Sequence, residues 1–297
     1  MSVSIFNSNE GEKKLLKLYD QALLGLGLEY EENYVKTRYG KTHILTTGPE
    51  KASPVVLLQG GNTVSPITLS WFLPLTKQFR VYAPDTIGHP GKSEQVRISP
   101  SDDSFGKWII DILDGLGLSE AIFIGPSYGA GIILRTASFA PERIKKAVLY
   151  VPSGIASGSI AQMVRKVVLP MLMYKMYPSE ERLIKAVRQM FTGEIDEITK
   201  QVTGAVFRYV KLETNMPRLA KKEELIKFKS PTIVIAGDKD IFFPAQRVIP
   251  RAKDIIPNLV GAESIPDLGH LPSKDNLNYI NDLIIRFIKK RNSTTIG

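Results

Sequence analysis

Short hydrophobic runs alternate with segments of helical periodicity along most of this chain. Buried strands are predicted at residues 54–58, 80–85, 122–124, 146–151 and from residue 232 onward. Helices are predicted over residues 9–26, 67–78, 104–116, 132–140 and 276–289. Ser104 is predicted to cap the third of these helices. Residues 30–47 predict a β-hairpin. Because strands and helices alternate, we expect an α/β fold with a mostly parallel sheet and helices on both faces.

The alternation of strands and helices stops between residues 155 and 228. This stretch has helical patterning and contains six of the seven methionines, Met163, Met171, Met173, Met176, Met190 and Met216. We expect residues 155–228 to form a helical cap, inserted between two parts of the core, residues 1–154 and 229–297. Two interpretations of the methionines stay open: an adaptable apolar lining above the site, or ordinary packing between helices.

A serine lies between a predicted strand and a predicted helix, in the sequence Gly125-Pro126-Ser127-Tyr128-Gly129. A turn at this place crowds its own backbone, and glycines at the flanking positions remove side chains that would clash. The hydroxyl of Ser127 is therefore a candidate nucleophile. The amide of Tyr128, at the start of the helix, is a candidate donor to a developing oxyanion.

A serine nucleophile at such a turn requires an acid and then a histidine later in the chain. Of the three histidines, only His270 follows Ser127. Between them, the strand that begins near residue 232 ends in an acidic loop that contains Asp240. The order Ser127, Asp240, His270 therefore fits a catalytic triad. The other histidines precede the serine: His43 is predicted to pack on a hairpin strand, and His89 lies in a loop and is left out of the triad.

The strand predicted at residues 54–58 ends in Gln59-Gly60-Gly61-Asn62. Backbone without side chains, at the carboxyl end of a central strand, lets an amide approach a ligand closely. We therefore predict the amide of Gly61 as the second oxyanion donor. The alternative is an ordinary glycine turn between a strand and a helix.

Composition and charge exclude several other classes of protein. The formal net charge is +9, but the basic residues are dispersed among acidic ones without interleaved aromatic residues, so no nucleic-acid partner is expected. Cysteine is absent and the histidines lack metal-ligand spacing, so no cofactor or metal is expected. Neither a signal peptide nor an apolar run of about 20 residues is present, which predicts a cytoplasmic protein without a membrane span.

The segments 125–129, 237–244 and 269–270 together resemble those of the α/β-hydrolase superfamily, and the resemblance covers almost the whole chain. Segments 37–43 and 85–93 further resemble small bacterial carboxylesterases of the NP type. The family implies an α/β-hydrolase fold with a mostly parallel central sheet and a helical cap.

The same resemblance assigns roles to the candidate site residues. It implies Ser127 as nucleophile, His270 as general base and Asp240, rather than Asp238, as the carboxylate that orients the base. Gln59 departs from the family, which usually has a histidine at that position.

The resemblance implies a serine hydrolase that cleaves carboxylic esters with apolar acyl or aryl groups through an acyl-enzyme, with a small-molecule ester as partner. Haloalkane dehalogenases and epoxide hydrolases are excluded, because they need a carboxylate where this chain has Ser127. The alternatives are a carbon–carbon bond hydrolase, an acyltransferase or a cofactor-free perhydrolase with the same triad, or a ligand-binding protein without catalysis. The oligomeric state is not predicted.

Overall fold

The computed structural model describes residues 4–191 and 193–290. Within these residues one sheet contains the strands β1 Tyr30–Thr37, β2 Gly40–Thr47, β3 Pro54–Leu57, β4 Arg80–Pro84, β5 Ala121–Pro126, β6 Ile144–Tyr150, β7 Thr232–Gly237 and β8 Leu259–Ile265. The helices are α1 Asn9–Leu24, α2 Ser65–Trp71, α3 Leu73–Thr76, α4 Ser104–Gly115, α5 Tyr128–Phe139, α6 Ile160–Met163, α7 Leu169–Met176, α8 Glu180–Val187, α9 Glu197–Tyr209, α10 Ala245–Ile255 and α11 Lys274–Lys289. A π-helical turn, Val164–Val168, joins α6 to α7.

The strands follow the order β1-β2-β4-β3-β5-β6-β7-β8 across the sheet. The predicted hairpin forms its antiparallel edge, because β1 pairs with β2, and β2 pairs antiparallel with β4. All remaining neighbours are parallel. The predicted mostly parallel sheet is therefore confirmed.

Alternate residues of the central strands pack into two separate hydrophobic cores. On β5, Ile122 and Ile124 belong to the core that also contains residues of α1, α2 and α11. Phe123 lies on the opposite face, in the core formed with α4, α5 and α10. Helices therefore cover both faces of the sheet, as the alternating sequence pattern predicts.

Two helix predictions need correction. The helix predicted over residues 67–78 is divided into α2 and α3 at Phe72, whose φ of −120° and ψ of 24° are not helical. Pro74 has no N–H to donate to the carbonyl of Ser70, so one continuous helix would lose a hydrogen bond there. Ser104 is the first residue of α4 rather than its cap, and its own N–H donates to Asp102 Oδ1 at 2.8 Å.

Helices α6 to α9 lie between β6 and β7 along the chain. Helix α9 packs against α1, and an antiparallel bridge joins Phe6 to Val210 just after α9. A Cβ on Gly131 of α5 would lie 2.5 Å from the Cβ of Pro217, so the chain after α9 also lies against the helix that follows β5. No helix among the described residues is long and apolar enough to cross a membrane.

Candidate active site

Ser127 occupies the sharp turn between β5 and α5, with φ of 51° and ψ of −113°. Residues other than glycine seldom adopt a positive φ, and the strain persists only where the surroundings enforce it. A Cβ on Gly125 would lie 2.5 Å from the carbonyl carbon of Gly129, and a Cβ on Gly129 would lie 2.9 Å from the carbonyl oxygen of Gln59. Glycine at both positions is therefore what allows the turn to close.

Hydrogen bonds to the end of β6 hold the strained turn. The Ser127 N–H donates to the carbonyl of Tyr150 at 2.9 Å. The Ser127 carbonyl accepts from Ser153 Oγ at 2.9 Å and from the Gly131 N–H at 3.2 Å. Both backbone groups of the serine are thus used, and its hydroxyl is left for other contacts.

The structure brings Ser127, His270 and Asp240 together although they come from three separate loops. His270 Nε2 lies 3.0 Å from Ser127 Oγ, and His270 Nδ1 lies 2.9 Å from Asp240 Oδ2. With Nδ1 facing a carboxylate, the neutral imidazole carries its proton on Nδ1. Nε2 is then free to accept the proton of the serine hydroxyl.

The loop after β7 orients the Asp240 carboxylate. Its Oδ1 accepts the N–H groups of Phe242 at 2.8 Å and Phe243 at 3.1 Å, which leaves Oδ2 for His270. The Phe242 and Phe243 rings pack 4.7 Å and 5.5 Å from the imidazole, centroid to centroid. Asp238 makes no hydrogen bond to His270, and its buried Oδ1 has no partner among the described residues.

The two predicted oxyanion donors are neighbours beside the serine. A Cβ on Gly61 would lie 3.1 Å from the Cβ of Tyr128, so the two backbones approach closely. Tyr128 is the first residue of α5, where the N–H has no acceptor within the helix. That both N–H groups serve one oxyanion stays a prediction.

Gln59 anchors the loop that carries Gly61. Its Nε2 donates to the carbonyl of Thr63 at 3.0 Å, and its Oε1 accepts from Ser65 Oγ at 2.9 Å and from the Thr86 N–H at 3.1 Å. The amide side chain is buried and uses both of its polar atoms. Gln59 therefore provides, through hydrogen bonds, a fixed connection between this loop and the loop after β4.

Asn62 makes contacts that the sequence did not reveal. Its Nδ2 donates to the carbonyl of Glu213 at 2.8 Å, and its Oδ1 accepts the Glu213 N–H at 2.8 Å. We call this reciprocal pair the Asn62 clamp. Asn62 has φ of 52°, a conformation that asparagine tolerates better than most residues. An asparagine after Gly-Gly is a local signal for a backbone with positive φ. No local pattern, however, identifies Glu213 as its distant partner.

His89 supports the same loop from the other side. Its Nδ1 lies 3.4 Å from the Asn62 N–H, and its ring packs 4.5 Å from the Tyr128 ring. Burial and the positive charge of Arg97 lower the pKa of His89 to about 3, so the imidazole is neutral and accepts a hydrogen bond at physiological pH. His89 is therefore a structural residue outside the triad.

A cavity of about 210 Å³ adjoins Ser127 and His270. Its lining includes the apolar side chains Ile67, Trp71, Val151, Val167, Met171, Met190, Phe207, Leu212, Met216, Phe242, Phe243 and Leu271. Among the described residues, no Asp, Glu, Lys or Arg lines it. No group of three or more His, Asp or Glu side chains in the described ranges could hold a metal ion.

Of the six methionines of residues 155–228, three line the cavity and three do not. Met171, Met190 and Met216 line the cavity. Of the other three, Met163 is half-buried, and Met173 and Met176 are exposed on α7. Neither interpretation of the sequence covers Met173 and Met176.

Residues 53–183 match the family model of the alpha/beta hydrolase fold. The chain has the α/β-hydrolase fold. The matched range contains Ser127 and ends before Asp240 and His270, which come from the second part of the chain.

Two Bacillus subtilis carboxylesterases resemble this chain over almost their full lengths. Carboxylesterase YbfK (strain 168) is 29% identical over 293 residues, covering 95% of this chain and 96% of the relative. The crystal structure of carboxylesterase CesB (YbfK) has a TM-score of 0.80 at 26% identity and covers 94% of this chain and 99% of that one. Naproxen esterase (carboxylesterase NP) gives a TM-score of 0.84 at 23% identity, with 95% and 99% covered. The resemblance to small bacterial carboxylesterases is confirmed.

Proposed function

We propose that this protein is a cytoplasmic serine hydrolase that cleaves small, neutral carboxylic esters with apolar acyl or aryl groups. One observation carries the proposal: Ser127 Oγ, His270 and Asp240 form a continuous chain of contacts at 3.0 Å and 2.9 Å in the wall of an apolar cavity. Similarity to carboxylesterase YbfK across nearly the whole of both chains supports the same class of reaction.

The geometry supports a two-step mechanism. His270 Nε2 takes the proton of Ser127 Oγ as that oxygen attacks the ester carbonyl carbon, while Asp240 stabilises the imidazolium. The tetrahedral intermediate collapses when His270 passes its proton to the leaving alcohol, and the acyl group stays on Ser127. His270 then deprotonates a water molecule that attacks the acyl-enzyme, and the departing Ser127 oxygen regains the proton as the acid is released.

The oxyanion of both tetrahedral intermediates receives hydrogen bonds from the amides of Gly61 and Tyr128. Such donors stabilise the transition state most when they are already in place before the reaction. Gln59 and the Asn62 clamp support this requirement, since they fix the Gly61 loop from both of its ends.

The proposed preference for neutral esters follows from the lining of the cavity. A carboxylate inside it would meet no cationic side chain among the described residues. Burying an unpaired charge in apolar surroundings costs several kcal/mol. A charged acyl group would therefore be rejected relative to a neutral one of the same size.

We also propose that residues 155–228 act as a cap on a core formed by residues 1–154 and 229–297. Eight residues of this segment line the cavity: Val167, Met171, Met190, Thr199, Thr203, Phe207, Leu212 and Met216. The Asn62 clamp supports the proposal, because it joins the cap directly to the loop of the first core part.

Labelling with a fluorophosphonate tests the proposed function. The reagent should form an adduct on the peptide that contains Ser127, identified by mass spectrometry. Ser127→Ala should abolish labelling and lower kcat on p-nitrophenyl butyrate by on the order of 10⁴-fold or more. Ser138→Ala, a serine on α5 whose hydroxyl donates to the Arg135 carbonyl, is the matched control and should keep both properties. Turnover that survives Ser127→Ala, or an adduct on another residue, would contradict the proposal.

A further inference from the structure

Helix α7 exposes an apolar stripe to solvent. Leu169, Leu172, Met173 and Met176 follow the i, i+3, i+4, i+7 spacing of one helix face, and each is between 43% and 59% exposed. A face with this spacing is normally buried against another element. Nothing else in the described ranges covers it.

The opposite side of the same helical segment borders the candidate active site. Val167, in the π-helical turn, and Met171 line the cavity, and Tyr174 is buried against Phe207. The segment is therefore apolar both toward the cavity and toward solvent. One helix, about 10 Å across with its side chains, separates the exposed stripe from the cavity.

Further exposed apolar residues lie on the elements next to α7. Four of them flank α7 or lie on the neighbouring helix α8, at 41% to 73% exposure: Ile160, Val164, Tyr177 and Ile184. Isolated exposed apolar residues are ordinary, but a contiguous group marks a surface that contacts something. We call these four residues and the α7 stripe the docking face.

The docking face has a strongly basic border. Residues 151–179 contain no Asp or Glu, but they contain Arg165, Lys166 and Lys175. The neighbouring helix α8 and the residue after it add the exposed Arg182, Lys185 and Arg188. Helix α8 also carries the exposed acids Glu180 and Glu181, so the six basic residues exceed the acidic ones by four. An apolar surface inside a basic border suits a partner that offers acyl chains and negative charge together.

We propose that the docking face binds an anionic lipid surface. The apolar side chains would enter the boundary between head groups and acyl chains, and the basic residues would contact lipid phosphates. A second copy of this chain is a poorer occupant, because an isologous contact would place the basic border of one copy against that of the other. The proposal goes beyond ester hydrolysis and does not depend on it.

Vesicle binding tests the proposal without any turnover. The full chain carrying Ser127→Ala is mixed with vesicles of 30% phosphatidylglycerol in phosphatidylcholine, or of phosphatidylcholine alone, and bound protein is measured by flotation. Binding to the anionic vesicles should be at least about tenfold tighter, since each basic residue near such a surface contributes roughly fivefold. Raising the salt from about 0.05 M to about 0.5 M should weaken it by shortening the Debye length.

Variants then assign the binding to the docking face. The double variant Leu172→Gln/Met176→Gln should weaken binding by about tenfold or more, because each methylene withdrawn from lipid costs roughly fourfold. Leu24→Gln/Ile226→Gln is the matched control, since these residues are 78% and 57% exposed elsewhere on the protein. It should bind like the parent. All four positions are exposed, so melting temperatures should be unchanged.

Three outcomes would overturn the proposal. The first is the absence of binding to anionic vesicles. The second is an equal loss of binding in the control variant. The third is a dimer, seen by light scattering in solution, that the docking-face variant dissociates, because this would assign the face to a second copy. Failure of fluorophosphonate labelling would contradict the proposed function and leave the vesicle result unaffected, so the two failures are distinguishable.

Discussion

Two aspartate–histidine pairs in this protein have nearly the same internal geometry. His270 Nδ1 lies 2.9 Å from Asp240, and His43 Nδ1 lies 3.0 Å from Asp85. Backbone N–H groups also hold each carboxylate in place, one at Asp85 and two at Asp240. The pairs differ at the second ring nitrogen. An Asp–His pair is therefore a candidate for catalysis only where the second ring nitrogen of its histidine contacts a nucleophile that a substrate can reach.

At one pair Nε2 of His270 faces Ser127 Oγ and the cavity, and at the other Nε2 of His43 faces Glu32 Oε1 at 3.1 Å. A hydroxyl can give up its proton, whereas a carboxylate can only accept a hydrogen bond. His43 is also completely buried between β1, α1 and the loop after β4, so no substrate reaches it. The His43 pair is therefore a structural connection.

The largest effect should come from breaking the His270 pair. Asp240→Asn would present an NH₂ group to Nδ1, which forces the proton onto Nε2, where it blocks proton transfer from the serine. We expect kcat on p-nitrophenyl butyrate to fall by about 10⁴-fold. Oδ1 of the asparagine can still accept the two loop amides, so the melting temperature should change little.

Asp238→Asn is the matched control for that substitution, two residues away in the same loop. Because Asp238 does not contact the imidazole, kcat should fall by less than about tenfold. A larger loss for Asp238→Asn than for Asp240→Asn, measured side by side, would reassign the acid.

Breaking the His43 pair should lower the stability of the protein and leave kcat nearly unchanged. Asp85 is buried and contacts His43, Tyr19 and the Lys92 N–H. Asp85→Asn should lower the free energy of unfolding by about 3 kcal/mol, because a buried charge network loses one member. The melting temperature should fall by roughly 6 °C, and kcat should change less than about tenfold.

Asp20→Asn gives the corresponding control for Asp85. Asp20 also pairs with Lys92, at 2.9 Å, but it lies on the surface. Exposed ion pairs contribute about 0–1 kcal/mol, so the melting temperature should stay within about 2 °C of the parent value. A 10⁴-fold loss of kcat in Asp85→Asn, without unfolding, would refute the structural role of the His43 pair.

The comparison also explains what could be predicted from the sequence. Ser127 depends on its own neighbours, since Gly125 and Gly129 are what allow the turn, and this is visible in five consecutive residues. His270 followed from chain order alone. The alternation of strands and helices, being local, predicted the sheet and both of its covered faces.

Contacts between distant residues could not be predicted in the same way. The burial of His43 beside Asp85 depends on how the hairpin packs against the loop after β4. The Asn62 clamp joins two residues that are 151 positions apart. No local pattern distinguishes these polar residues from solvated ones, because the partner that satisfies each of them is supplied only by the tertiary fold.

Contacts outside the Ser127–His270–Asp240 chain should also affect catalysis. Asn62→Gly removes the clamp but tolerates the positive φ, so the backbone is not strained. We expect kcat to fall by about 10- to 100-fold with little change in KM, because a misplaced Gly61 donor weakens transition-state binding in particular.

Glu213→Gln is the control for the clamp. It leaves the Glu213 backbone N–H and carbonyl in place, and these are the groups that Asn62 contacts. Its kcat should stay within about threefold of the parent. Equal losses in the two variants would show that the Glu213 charge matters, and the clamp would not be the cause.

The smallest expected effect is on the acyl-chain preference, which depends on the cavity beside Ser127 and His270. If Met171, Met190 and Met216 hold the acyl group, each added methylene should raise kcat/KM by roughly fourfold, from about 0.8 kcal/mol of burial. In a p-nitrophenyl ester series the increase should stop once the cavity of about 210 Å³ is full. Met216→Ala should move that maximum toward longer chains, because it enlarges the cavity. Met173→Ala, an exposed methionine of α7 outside the lining, should leave the profile unchanged. A maximum that shifts equally in both variants, or in neither, would place the acyl group outside this cavity while the His270 pair kept its role.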